Sequence, residues 1–298
     1  MSFASEVKAE LCRLPVGRGP VAVAECCGAM LFCHTFTPRE IRVVTASRDF
    51  AERLPRLVKR ASGAVMQAAV PSGGRMALSM TDSDAVARVF SALDLDTTRA
   101  LSHHINLGLL EEAGCREAFL RGAFLAGGSV TDPAKSYHLE LSTAHYSVSR
   151  ECAALLSDLG FTPRAVTRGG NYVLYFKKSE MIEDLLSTIG ATTCAMRVMA
   201  AKVEKSMTNS INRKVNCDAA NVDKTVAAAQ AQLEAIRRID REYGLDTLPE
   251  PLQQAALLRF ANPEVSLTDL AKLSYPPVSR STLSYRLKKL MEYNGNAE

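Results

Sequence analysis

What the sequence lacks narrows it first. No apolar run in its 298 residues reaches the roughly 18 needed to cross a bilayer, which excludes a membrane-spanning helix. The start of the chain lacks the pattern of a secretory signal. The eight cysteines (Cys12, Cys26, Cys27, Cys33, Cys115, Cys152, Cys194 and Cys217) include no paired C-x-x-C. Both absences point to a reducing, cytoplasmic setting with free thiols and no zinc site. The excess of positive over negative charge is small too. A net charge of +4 is too small to name a partner, so a nucleic-acid case must rest on where the cations sit. No Ser-His-Asp or Cys-His arrangement follows from spacing, and Pro71-Ser72-Gly73-Gly74 leads into a strand, as a hairpin turn does and a phosphate loop does not. His103 and His104 read as surface or interface residues. No residue is assigned to catalysis, to a metal or to a cofactor. What remains is ordinary globular composition, 47% hydrophobic and 23% charged, in a chain long enough for two domains.

What is present is a repeat. Glu25-Cys26-Cys27-Gly28-Ala29-Met30-Leu31-Phe32 lies over Phe119-Leu120-Arg121-Gly122-Ala123-Phe124-Leu125-Ala126, with the Gly-Ala pair coincident. Past a loop that is longer in the second copy, Thr45-Ala46 falls on Ser142-Thr143, Gly63 on Gly160, Gly73-Gly74 on Gly169-Gly170, and Ser83-Asp84 on Ser179-Glu180. Two copies at so long a period predict one domain of two similar halves about a pseudo-two-fold axis, not a solenoid.

Each copy reads helix, two strands, helix, two strands, helix. In the second, an apolar helix over 115–127 is followed by Tyr137, Leu139 and Leu141 alternating with His138, Glu140 and Ser142, the period of a half-buried strand. Helical spacing returns over 146–158, Arg168-Gly169-Gly170-Asn171 is a hairpin turn, and Met181, Ile182, Leu185, Leu186 and Ile189 close the unit as an amphipathic helix. The halves span about 20–98 and 115–190 of a domain over 1–190. Residues 191–250 read as a helical linker interrupted by the Asn-rich stretch 209–218, and 251–298 as an all-α tail.

The tail concentrates the cations. Ser266-Leu267-Thr268-Asp269 matches a capping box, Tyr275-Pro276-Pro277 breaks the chain, and Ser279 caps a second helix with Leu283, Leu287 and Leu290 on one side. Between Val278 and Leu290 there are Arg280, Arg286, Lys288 and Lys289 and no acid. A supporting helix, a break and a basic second helix follow the order of a helix-turn-helix, whose second helix lies in a major groove between phosphate backbones. The candidate DNA contacts are Ser266, Thr268, Ser279, Arg280, Ser281, Thr282, Ser284, Tyr285, Arg286, Lys288 and Lys289, with Arg213 and Lys214 auxiliary. The alternative is a solvated basic helix whose cations suit the helix dipole.

These residues together resemble the WhiA family of bacterial regulators. The resemblance rests on the opening Met1-Ser2-Phe3-Ala4-Ser5-Glu6-Val7-Lys8, the block from Leu120 to Val130 running on to Ser136-Tyr137-His138-Leu139-Glu140, the stretch from Asn212 to Asn221, and Ser279-Arg280-Ser281. It implies an α+β chain: a duplicated LAGLIDADG homing-endonuclease-like domain of two αββαββα halves, followed by an all-α helix-turn-helix domain. It also implies roles in transcription, sporulation and cell division. In LAGLIDADG nucleases each small-residue helix ends on an acid that holds a divalent metal. Here those places fall at Gly127 and Cys33, and neither offers a carboxylate. The predicted sheet faces carry only scattered arginines, Arg42, Arg75, Arg164 and Arg168, beside His138, Glu140, Ser142, Val173, Tyr175 and Lys177.

The expected protein is a non-enzymatic, DNA-binding transcriptional regulator of cell division, chromosome segregation or sporulation. It is expected to be cytoplasmic, nucleoid-associated and monomeric, with double-stranded DNA as partner, other transcription or division proteins as a second class of partner, and no membrane association. Two rivals stand beside it: an interaction module of the division or transcription machinery, and an active homing-type endonuclease.

Overall fold

The computed structural model describes residues 2–67, 69–72, 74–96 and 103–295. It divides into two compact units, Met1–Lys205 and Ser206–Glu298.

The first unit opens with α1 (Phe3–Arg13). One half then comprises α2 (Pro20–Leu31), β1 (Thr35–Phe36), β2 (Ile41–Thr45), α3 (Arg48–Ser62), β3 (Val70–Ser72), β4 (Arg75–Met80) and α4 (Ser83–Ala92). The other comprises α5 (Cys115–Gly127), β5 (Gly128–Val130), β6 (Leu139–Thr143), α6 (Tyr146–Asp158), β7 (Arg164–Arg168), β8 (Asn171–Phe176) and α7 (Ser179–Ile189). Each half builds a 4-stranded antiparallel sheet of the same order, β1-β2-β4-β3 and β5-β6-β8-β7. The expected αββαββα duplication is therefore the observed one. Gly73 and the expected end of the first half near residue 98 lie outside the described residues.

Helices α2 and α5 pack backbone to backbone. A Cβ placed on Gly28 would stand 2.0 Å from the Phe119 carbonyl oxygen, and one on Gly122 would stand 2.0 Å from that of Glu25. Only glycine permits this approach. The reciprocity fixes the pseudo-two-fold axis and makes Glu25 the equivalent of Phe119. Around it, Cys26, Cys27, Met30, Leu31, Leu120, Phe124 and Leu125 are buried in one core shared by both halves.

The repeat register differs from its sequence alignment by one residue. Thr45 stands opposite Met76 and Thr143 opposite Tyr172, and each hydroxyl accepts from the amide two residues on, Ser47 at 3.1 Å and His145 at 3.3 Å. Thr143, not Ser142, is the partner of Thr45. The longer loop absorbs one more residue than the alignment allowed, and in a strand such a shift exchanges the two faces. Both threonines are accordingly buried. Val173, expected on a solvent face, is buried as well.

The core holds a charge. Glu25, fully buried, accepts from Arg53 Nε at 2.8 Å and Nη2 at 3.0 Å, and from Arg121 Nε at 3.3 Å. Arg53 also donates to the carbonyls of Cys12 and Leu14, and Arg121 to that of Ile189 at 3.1 Å. One carboxylate thus ties together α1, both halves and the end of α7.

Glu10 of α1 accepts from the amides of Thr193 at 2.6 Å and Cys194 at 2.9 Å, capping α8 (Thr192–Glu242). This helix runs unbroken through residues 209–218, where an interruption was expected. It contains no glycine or proline, and its asparagines cost only roughly 0.7 kcal/mol each relative to alanine, too little to stop a helix already propagating.

The second unit joins the C-terminal part of α8 to α9 (Glu250–Ala261), α10 (Leu267–Leu273) and α11 (Arg280–Glu292). Its core contains Ile236, Ile239, Leu248, Ala255, Ala256, Leu270, Leu283, Leu287 and Leu290. The packing of this unit therefore begins inside the segment read as a linker.

Candidate nucleic-acid interface

The tail presents one helix outward. Ser279 caps α11 by accepting from the Thr282 amide at 3.1 Å, and its hydroxyl also meets those of Ser281 at 2.7 Å and Thr282 at 2.8 Å. Leu283, Leu287 and Leu290 pin the opposite side into the core. Arg280, Ser281, Thr282, Ser284, Tyr285, Lys288 and Lys289 are exposed, and Arg286 is half-buried beside the leucine stripe. Tyr285 is 60% exposed with Lys289 Nζ over its ring at 5.5 Å, while Lys288 reaches Glu292 at 3.6 Å. The ends of this face thus differ: hydroxyls gather at the cap beside Arg280, and the remaining cations lie in the later turns.

Ser266 caps α10 as its motif predicts, accepting from the Asp269 amide at 3.3 Å and donating to Asp269 Oδ2 at 2.8 Å. Lys272 pairs with the same carboxylate at 2.8 Å, and these two hydrogen bonds hold Asp269 below the usual carboxylate range. Thr268 is exposed on the first turn. The backbone between α10 and α11 is tied back where the Val278 amide donates to the Ala271 carbonyl at 3.2 Å. Arg213 and Lys214 are exposed on α8, well before the residues of that helix that enter the tail core.

In the duplicated unit one cluster on the second sheet pairs its charges. Glu140 accepts from Arg168 at 2.7 Å and lies 3.2 Å from His138, so one of the scattered arginines of the sheet faces is paired with an acid. At the ends of α2 and α5 lies a cavity of about 220 Å³ whose walls include Cys33, His34, Gly127, Ser142, Thr143 and Asn171, with no acid among them. The Cys33 thiol points at the Thr35 carbonyl, 3.2 Å away, and burial pushes it up to about 12. A Cβ on Gly127 would stand 2.3 Å from the Ser142 carbonyl oxygen and 2.9 Å from that of Phe32. His103 and His145 stack edge to face at 4.5 Å, and His103 Nε2 lies 2.8 Å from the Phe36 carbonyl. His103 is therefore a packing residue between the halves, whereas His104 is an exposed partner of Glu151 at 2.7 Å.

The family model described as "WhiA C-terminal HTH domain" matches residues 211–294, and the one described as "WhiA LAGLIDADG-like domain" matches 116–208. The chain is 32% identical over 302 residues to the probable cell division protein WhiA of Ruminiclostridium cellulolyticum, covering 98% of this chain and 96% of that protein. The chain belongs to the WhiA family. The probable cell division protein WhiA of Clostridium perfringens is 31% identical over 309 residues, covering 97% and 96%. The crystal structure of full-length DUF199/WhiA from "Thermatoga maritima" has the same fold, with a TM-score of 0.62 at 24% identity over 98% of this chain and 97% of that one.

The LAGLIDADG fold implies a divalent metal at the ends of α2 and α5, and the residues present do not fit one. Cys33 keeps its proton at neutral pH, and Gly127 has neither a ligating side chain nor space for one. A hard cation such as Mg²⁺ requires oxygen ligands, and no carboxylate lines the cavity.

Several buried polar residues carried no motif signal. Glu25 sits in a helix that reads as uniformly small and apolar. Arg259, 1% exposed, lies beside Ala255 and Ala256 on the inner side of α9, and Gln232 is buried on α8. A lone arginine among inward-facing alanines is the one clue the sequence offers to the former.

Proposed function

We propose that this WhiA-family chain is a DNA-binding transcriptional regulator acting at the nucleoid in cell division, chromosome segregation or sporulation, with α11 as the element entering the major groove and no nuclease activity. The observation that carries the reading is the outward face of α11: hydroxyls and Tyr285 opposite the leucine stripe, flanked by Arg280, Arg286 and Lys289. Hydroxyl and phenolic groups suit base edges, while the flanking cations suit phosphates. The acid-free cavity at the helix ends supports the non-enzymatic part, because none of the residues lining it supplies the carboxylate that holds the divalent metal in metal-assisted hydrolysis by this fold.

Salt-dependent binding to a genomic target duplex and to a scrambled one is the test. Arg286→Ala and Lys289→Ala are expected to weaken both complexes alike and to lower the salt slope by about one unit each. Ser281→Ala and Tyr285→Ala are expected to cost about 1–3 kcal/mol on the target and little on the scrambled duplex. If neither pair of variants changed binding, the groove assignment of α11 would fail, and the LAGLIDADG-like unit or a protein partner would have to explain the regulation.

A further inference from the structure

The second unit contains a cavity of about 330 Å³, within the size range of small-molecule sites. Its walls include Lys224 and Gln232 of α8, Arg259 of α9, Ser266 and Thr268 at the start of α10, and Arg280 at the start of α11. Three of these side chains are cationic, and among the described residues no acid lines the cavity.

Two of the wall groups are incomplete. Arg259, 1% exposed, donates one terminal nitrogen to the carbonyls of Asn262 at 3.3 Å, Pro263 at 3.5 Å and Val265 at 2.8 Å, but its Nε has no partner. Its hydrogen bonds go to neutral carbonyls, so among the described residues the buried cation has no counter-ion, and burial lowers its affinity for its proton. Gln232, 8% exposed, leaves its side-chain oxygen without a donor. A buried charge without a counter-ion and a buried unpaired acceptor each cost stability. Both lie on the wall of the same cavity, beside two further cations.

We infer that this cavity binds the phosphate group of a small, hydroxyl-bearing anion free in solution. The anion compensates Arg259, Lys224 and Arg280, and the ligand's hydroxyl supplies the donor that Gln232 lacks. Because Arg280, Ser266 and Thr268 also belong to the expected DNA face, occupation of the cavity opposes DNA binding, which would make the ligand an effector. Binding itself requires no DNA, so this inference can stand or fall separately from the proposed function.

The experiment is calorimetric titration and thermal unfolding of the full chain with inorganic phosphate and with ribose 5-phosphate, against ribose and sodium chloride at matched ionic strength. A saturable rise in Tm with both phosphates, tighter for ribose 5-phosphate, is expected, because a ligand that binds only the folded state stabilises it by mass action. Gln232→Met and Lys224→Met keep side-chain bulk and should each weaken ribose 5-phosphate about tenfold or more while leaving the ligand-free Tm near its original value. Arg259→Met should abolish binding; if that variant does not fold, the other two carry the test. In the presence of ribose 5-phosphate the apparent Kd for duplex DNA should rise. Absence of a saturable shift, or a shift that both conservative variants leave intact, would overturn the inference. So would variants that weaken DNA binding while no free phosphate compound binds, since the cavity would then serve the DNA backbone alone.

Discussion

Glu25 joins the two halves of the first unit through charge, because it compensates Arg53 and reaches Arg121 across the pseudo-two-fold axis. Removing it leaves a buried guanidinium with no counter-charge. Glu25→Ala is therefore expected to cost about 3–5 kcal/mol in urea unfolding, and Glu25→Leu combined with Arg53→Met to recover much of that loss. Equal stability of the single and double variants would show that the pair is not coupled. His145 gives a second expectation. Burial, and then the neighbouring His103, push it down to about 4 from an ordinary 6.5. A histidine that stays neutral in the folded chain and charges in the unfolded one contributes stability in full above pH 6.5. That contribution is lost as the pH falls towards 4. The urea midpoint should drop across that window, and His145→Phe should flatten the drop.

At the scale of elements, the repeat and the tail were legible because their signals are local. Alternation marked β6, the Arg168–Asn171 turn marked the β7–β8 hairpin, and Ser266 and Ser279 marked two helix starts. The register of β6 was not legible, since the length of the preceding loop, and not the strand pattern, decides whether Ser142 or Thr143 matches Thr45. Nor was the continuity of α8, where a run of weak helix formers reads like a break although nothing in it prevents propagation. Glu25, Arg259 and Gln232 escaped notice for a third reason: a buried polar group is defined by neighbours distant in sequence, and Glu25 finds its own 28 and 96 residues away. The consequence for α8 can be checked with fragments. Because Ile236 and Ile239 lie in the same core as Leu283, Leu287 and Leu290, residues 206–298 should melt cooperatively by circular dichroism. Residues 251–298 should not, having lost one wall of that core.

At the scale of the molecule, the fold keeps the LAGLIDADG-like frame, with Cys33 and Gly127 at the places where the acids of that frame are expected. The purified chain with Mg²⁺ or Mn²⁺ is expected to leave duplexes of many sequences intact. Restoring the missing acids should not rescue cleavage, because the second half has no room for one: Gly127→Asp drives a side chain into two backbone carbonyls. Overpacking of this kind costs about 1–3 kcal/mol. A lowered Tm without strand scission is the expected result for Cys33→Asp combined with Gly127→Asp, and site-specific cutting by that variant would refute the steric argument.

The near-contact of Gly28 and Gly122 also bears on why the two halves share one chain. In a dimer of identical halves, any residue at position 25 would occur twice beside the axis, and two buried carboxylates there would repel each other. The single chain removes that obligation: Glu25 occupies one side and Phe119 the other, so the axis carries one negative charge between two arginines. Covalent linkage has thus freed the halves to diverge at the one place where symmetry would have held them identical, and a symmetric assembly of either half alone could not reproduce that centre.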